Sequence, residues 1–213
     1  MIRRLAAPLA LLAFAAPSWA APCQFFPGGA SNYQVASPPQ VVQLANGHFI
    51  MGDTFFNRLV EQTEGGTNLT TYGPSVPGHG ALNEPAGVAV DPAGHIYVAD
   101  RQNNRIIKFD SSMAPMMEWA TSAGGHPNNL TLSPDGTVLY VAEQLGNRVS
   151  MYTTGGAFLG SWGTGGSGPG QFNQPFGIAT DVTGNVYVSD YGNNRVEVFS
   201  PSGTYVGTVR FSV

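Results

Sequence analysis

The chain has 213 residues, a length that suits one medium domain, and only 10% of them are charged, against roughly 25% in an average globular protein. Its 28 glycines and 16 prolines fall in turn-like clusters, which favours many short strands over helices. Lys and Arg number 9 against 13 acids, and Arg58, Arg105, Arg148 and Arg195 recur at one repeated position, so no basic stripe is left for a phosphate backbone and nucleic acid is excluded as a partner.

In chain order, residues 1–20 read as a cleaved signal peptide: Arg3 and Arg4, an apolar core from Leu5 to Ala16, then Ser18-Trp19-Ala20 ahead of a cut at Ala20/Ala21. The apolar stretch is short for a membrane span and carries a proline. The expected location is therefore secreted or periplasmic, with no membrane contact after cleavage. Residues 21–36 form an N-terminal lead-in. Cys23, the single cysteine, follows Pro22 rather than the small residue a lipid-anchored cysteine needs, and reads as an incidental thiol; stability has to come from packing.

From residue 37 onward the chain repeats. Asp53, Asp100, Glu143 and Asp190 are each followed, five residues on, by Arg58, Arg105, Arg148 and Arg195, with Asn57, Asn104, Asn147 and Asn194 just before the arginines. Gly47, Gly94, Gly136 and Gly184 close an upstream turn, and Pro85, Pro127 and Pro175 open three of the copies, with Pro38 at the matching place in the first. The periodicity inside a copy is two: GVAVD, HIYVAD, RIIKFD and MMEWATS are short, β-branched or aromatic, and bounded by turn residues. These are strands a to d of an antiparallel meander. One such sheet is apolar on both faces, and packing sheet on sheet around an axis buries them, so the expected fold is an all-β propeller with blades over about 37–75, 84–123, 126–165 and 174–212.

The pattern P-x-G-[IV]-A-x-D-x-x-G-x-[IV]-Y-V-[AS]-D-x-x-N-N-R-[IV], complete in Pro85 to Ile106 and in Pro175 to Val196, resembles the NHL repeat. Pro127 to Val149 has one extra residue and Glu143 for the acid, and Ser37 to Leu59 is the most diverged copy. The resemblance implies a propeller that usually has six blades, where four sets of strands are counted. Three arrangements follow: a closed four-bladed ring, an open or incomplete six-bladed ring that is part of a longer reading frame, or a homo-oligomer in which two chains complete a ring.

A residue type present in every copy serves the blade. Asp53, Asp100, Glu143 and Asp190 are expected to accept hydrogen bonds from the backbone N–H groups of the following loop. The asparagines are expected in a tight left-handed turn, and Arg58, Arg105, Arg148 and Arg195 are expected to bind the acid or carbonyls of a neighbouring blade. Function is then expected where the copies differ, on the end of the propeller that carries the b–c and d–a loops. That end offers Phe55, Phe56, Leu145 and Tyr191, with Arg101 and Gln102 from a b–c loop and Glu84, His126 and Gln174 just before strand a. Aromatic groups and one arginine around a concave centre suit a protein, peptide or small-molecule ligand. The reading is an exported, non-catalytic binding or scaffold module without cofactor or metal.

The alternative is a propeller lyase or hydrolase of small molecules, with Glu84, His126 and Tyr191 near a central metal or substrate. The amidating lyases of peptide-hormone processing resemble this fold and use histidines from several blades around zinc. Of the four histidines here, His48 and His95 fall in a–b turns at the opposite end, and only His79 and His126 lie in d–a loops. Asn68-Leu69-Thr70 and Asn129-Leu130-Thr131 are glycosylation sequons, meaningful in a eukaryotic secretory pathway.

Overall fold

The computed structural model describes residues 40–73 and 75–209. The expected signal peptide, the lead-in, Cys23 and Pro38 lie outside them. Four four-stranded antiparallel sheets follow one another along the chain. Blade 1 holds β1 (Val41–Gln43), β2 (Phe49–Asp53), β3 (Arg58–Gln62) and β4 (Asn68–Tyr72). A small hairpin, β5 (Ser75–Val76) and β6 (Gly80–Ala81), leads to blade 2: β7 (Pro85–Val90), β8 (Ile96–Asp100), β9 (Arg105–Phe109) and β10 (Pro115–Ala120). Blade 3 comprises β11 (Pro127–Leu132), β12 (Val138–Glu143), β13 (Arg148–Thr153) and β14 (Phe158–Trp162). The parallel pair β15 (Thr164–Gly165) and β16 (Gln171–Phe172) then precedes blade 4, which holds β17 (Pro175–Thr180), β18 (Val186–Asp190), β19 (Arg195–Phe199) and β20 (Tyr205–Val209).

The blades pack in chain order, first on second, second on third and third on fourth, chiefly through β2 with β7, β7 with β11 and β11 with β17. The first strand of each blade is thus the innermost. Among the described residues blades 1 and 4 do not pack on each other, so the arrangement is an open arc and not a closed four-bladed ring. Each blade has a rear face toward its predecessor and a forward face toward its successor. One core joins Ile50 and Leu59 to Val88, Ile96, Val98, Ile107 and Phe109. A second joins Ala89, Tyr97, Ala99 and Ile106 to Leu130, Leu139, Val141 and Tyr152. A third joins Tyr140, Ala142 and Val149 to Phe172, Ile178, Val186, Val188 and Phe199. Strand periodicity explains this: neighbouring residues of β8 point to opposite faces, and both faces are buried.

An aromatic wedge repeats at two junctions. Trp119 of β10 lies between Tyr97 of its own blade (6.4 Å) and Tyr152 of the next (6.2 Å), and Trp162 of β14 between Tyr140 (5.9 Å) and Phe199 (5.6 Å). Each indole presses on the c–d turn of the following blade, where Gly156 (φ +85) and Gly203 (φ +86) stand. A Cβ there would come within 2.9 Å of Trp119 and 2.5 Å of Trp162. Where blade 1 offers the smaller Tyr72, the matching turn position of blade 2 holds Met113 (φ 65), buried in the shared core. Ring size on one blade and turn residue on the next are complementary.

The a–b turns of blades 2 and 4 are closed by aspartates. Asp181 accepts from the backbone N–H and hydroxyl of Thr183 (2.9 and 2.7 Å) and from the backbone N–H and amide of Asn185 (both 2.9 Å). The Thr183 hydroxyl is the largest influence; against the opposing effect of burial, it and Asn185 hold the Asp181 carboxyl well below the usual carboxylate range. For Asp91 burial would raise the pKa, but hydrogen bonds from His95 and Tyr97 outweigh it and the net shift is downward. Burial, with Glu143 nearby, pushes Tyr152 up to about 12. The Asn129 sequon is closed: Asn129 is buried in β11.

Candidate functional site

The repeated residues build a joint at the b–c/d–a end. Asn57, Asn104, Asn147 and Asn194 all sit in the left-handed region (φ 49 to 52), as their type and the tight turn suggest. In three of them the side-chain Oδ1 accepts a backbone N–H from the next blade: Glu84 (2.7 Å), His126 (3.0 Å) and Gln174 (2.8 Å). Glu84, His126 and Gln174 themselves have positive φ (53, 52 and 56), which places each N–H toward the preceding blade. Sequence reasoning missed this, because neither Gly nor Asn marks the positions; the position before an aligned proline was the available sign.

The acids depart from expectation. Asp100 and Asp190 take backbone N–H groups from the incoming linker, Asn83 and Asn173 (both 2.7 Å), and not from the following loop, which contributes side-chain amides instead (Asn103, 2.8 Å; Asn193, 2.7 Å). The linker runs directly over the end of the second strand, so its amides reach the carboxylate first. Every repeated arginine pairs with its acid: Arg58 with Asp53 (2.8 Å), Arg105 with Asp100 (2.6 Å), Arg148 with Glu143 (2.8 Å) and Arg195 with Asp190 (2.8 Å). Arg195 also donates to the carbonyls of Ser167, Gly168 and Gln171 in the linker, and Arg105 to those of His79 and Ala81. The linker before blade 3 is shorter. There Ser122 bonds the Glu143 carboxylate directly, and Arg148 is left 34% exposed.

The blade-specific residues form two kinds of feature. Arg101 donates to Glu84 and to Gln144 of the next blade (both 2.8 Å), and Gln102 donates to Glu84 (3.0 Å), so one polar bridge spans blades 2 and 3. Gln144 completes it and was not singled out from sequence, since a lone Gln in a loop carries no distinguishing pattern. Apolar groups stand on the same end: Phe55 is 75% exposed, Tyr191 69%, Leu145 51% and Phe56 49%. Phe55 and Phe56 touch edge to face (5.2 Å), Arg58 lies over Phe56 (5.0 Å), and Tyr191 neighbours Phe176 (6.4 Å).

His126 and Gln174 are anchored through their backbones, and the buried His126 Nδ1 has no hydrogen-bond partner among the described residues. The Glu84 carboxylate is committed to Arg101 and Gln102, while the His79 ring faces Glu118 (3.1 Å). Among the described residues no three of His, Cys, Asp and Glu come together as a metal-ligand group. Glu84 and His126 thus form no such group with a third His, Cys, Asp or Glu among the described residues. Among the described residues no helix is long and apolar enough to cross a membrane.

The NHL repeat family model matches residues 82–109, which hold the blade 2 joint just described. The blade 2 joint is thus similar to an NHL repeat, and the matches support an NHL-repeat β-propeller. The SMP-30/Gluconolactonase/LRE-like region model matches residues 117–213. NHL repeat-containing protein 3 of Homo sapiens is 29% identical over 167 residues, covering 70% of this chain and 45% of that protein. E3 ubiquitin-protein ligase TRIM71 of Rattus norvegicus is 30% identical over 124 residues, 55% of this chain and 13% of the ligase. The chain thus spans less than half of these curated relatives. Among solved structures, virginiamycin B lyase of Staphylococcus aureus superposes with a TM-score of 0.65 at 18% identity, over 81% of this chain and 55% of that one. The gluconolactonase XC5397 of Xanthomonas campestris gives 0.65 at 17% identity, over 80% and 60%. At these identities the two structures share the fold.

Proposed function

We propose that this exported NHL chain is a non-catalytic recognition module that takes a protein or peptide on its b–c/d–a end. The observation that carries the reading is the exposure of Phe55, Phe56, Leu145 and Tyr191, contributed by the b–c loops of blades 1, 3 and 4 and all on one end. Scattered single apolar residues on a surface need no explanation, but aromatic groups gathered at one end beside a fixed arginine fit the make-up of interface anchors. Arg101 is held at both terminal nitrogens by Glu84 and Gln144, so it supplies a rigid polar rim and not a mobile charge. The other repeated cations are bound to acids of their own blades, which supports protein over nucleic acid.

Selection of a displayed peptide library against the full chain tests this. Peptides that bind it should lose at least about tenfold in affinity, roughly 1.4 kcal/mol, against Phe55→Ala/Tyr191→Ala. The thermal midpoint should stay put, because both side chains are mostly exposed. Selected peptides that bind the double variant unchanged would sink the proposal. Secretion follows from the Arg3 to Ala20 signal pattern and is checked by N-terminal sequencing of protein recovered outside the cytoplasm, with Ala21 as the expected first residue.

A further inference from the structure

The three linkers differ in what they leave uncovered. Those that hold β5–β6 and β15–β16 run over the b–c ends of blades 2 and 4, whereas residues 121–126 cross directly from β10 to β11. The two longer linkers cap the repeated arginine. Arg195 donates through its terminal nitrogens to the carbonyls of Ser167 (2.8 Å), Gly168 (2.8 Å) and Gln171 (2.6 Å), and Arg105 to those of His79 and Ala81. These arginine side chains are 3% and 15% exposed. Arg148 is 34% exposed, and among the described residues its Nε bonds Glu143 while its terminal nitrogens have no partner. The longer linkers also bury an apolar residue, Leu82 or Phe172, beneath this turn. Thr121, at the start of the short linker, is itself buried, so the inner end of the crossing is closed and the outer turn alone is missing.

We infer that Arg148 is a seat for the backbone of a partner protein, and that it takes an uncharged segment turning at Pro-Gly. The molecule already holds two such occupants. The carbonyls on Arg195 flank Pro169-Gly170, and those on Arg105 follow Pro77-Gly78. Neutral carbonyls fit Arg148 better than a carboxylate, because its charge is balanced by the buried Glu143, which also accepts from the hydroxyls of Ser122 and Ser150. The guanidinium is thereby fixed at Nε and keeps a forked set of donors for an incoming chain. Asn103 and Asn193 add an amide to the linker carbonyls of Ala81 and Gly166, but blade 3 has Gly146 at that place, so the arginine carries the seat alone. Leu145 of the same loop, 51% exposed, offers an apolar contact. The inference rests on the recognition reading for the class of partner, and its seat lies apart from Phe55 and Tyr191, so the two can fail separately.

The test titrates the full chain with acetyl-Ser-Gly-Pro-Gly-Gln-amide, the sequence of residues 167–171 with both ends blocked. The NMR signals of the Arg148 Nε–H and of the Leu145 and Gly146 amides should shift, with those of the Arg105 and Arg195 side chains unmoved. Arg148→Lys keeps the charge beside Glu143 and loses the fork; it should weaken binding at least about fivefold at an unchanged thermal midpoint. Phe55→Ala/Tyr191→Ala should leave this binding as it is. Replacing residues 122–125 with a copy of residues 164–173 should cover Arg148 with the chain's own carbonyls and abolish it. A titration that leaves the Arg148 signal in place overturns the inference, as does equal binding by Arg148→Lys or by the chain with the copied linker. Binding by the same peptide only when its terminal carboxylate is free also overturns it, because the seat would then be one for an anion. Loss of binding in Phe55→Ala/Tyr191→Ala with Arg148→Lys unaffected would uphold the aromatic anchors and sink this seat.

Discussion

Blades 2 and 4 share nearly the same letters, YVADRQNNRIIKF against YVSDYGNNRVEVF, yet they differ in what surrounds them. Tyr97 is wholly buried between its own blade and blade 3, while Tyr187 is partly open on a face that packs on no further blade among the described residues. Arg105 stays partly exposed; Arg195 is buried, with its guanidinium on three linker carbonyls and two carboxylates. A repeated motif therefore fixes a blade's own hydrogen bonds, but the weight each residue bears is set by the blade or linker next to it.

The largest effect expected from that contrast is at Arg195. Arg195→Ala leaves Asp190 and Glu197 charged in a buried setting and frees the linker, a loss of about 3–5 kcal/mol. Arg148→Ala also uncovers a buried carboxylate, but it gives up no linker carbonyl and leaves Ser122 and Ser150 on Glu143, so it should lose less, about 2 kcal/mol. Urea unfolding of the two variants measures both, and equal losses would break the comparison. Next comes the tyrosine pair: Tyr97→Ala should destabilise by about 3 kcal/mol through a cavity under Trp119, and Tyr187→Ala by less than about 1 kcal/mol. Their thermal midpoints give the ranking. A smaller separation is expected at the asparagines. Asn104→Ala strands the His126 N–H and should lose about 1 kcal/mol, whereas Asn194→Ala should be close to neutral.

The smallest effect is the acid response of the a–b turns, which both blades share. Asp91 and Asp181 have folded values below their unfolded ones. Their contribution is therefore fully present above the ordinary aspartate pKa of about 3.9, and it fades as pH falls through the lowered folded values. The thermal midpoint should hold between about pH 7 and 5 and drop below about pH 4. Asp181→Asn should make that drop shallower; an unchanged acid limb would show that the turn carries no linkage.

Much of the scaffold was legible because period-two alternation, glycine turns and the acid–Asn–Arg spacing are local properties of the chain. Asn57, Asn104, Asn147 and Asn194 announced their left-handed turns by type, and the arginines their acids by spacing. What local pattern does not carry is contact between blades. The linker amides on Asp100 and Asp190, the Trp119 and Trp162 wedges and the bridge from Arg101 to Gln144 each join residues from segments that only the folded arc brings together. The candidate site was legible as a set of loop residues at one end, Phe55 and Tyr191 among them, but not as a geometry. Glu84 was legible as a residue of that end by its place before strand a, but its ion pair with Arg101 was not.

Glu84, His126 and Gln174 hold a backbone shape that asks nothing of the side chain beyond tolerance of a positive φ. The amide proton locks the arc together, and the side chain that follows is a carboxylate, an imidazole and an amide in turn. Stacking and display are thereby uncoupled at a single residue per blade. Such a position behaves as a socket: three blades plug an acid, a base and an amide into the same backbone frame, whose conformation stays the same.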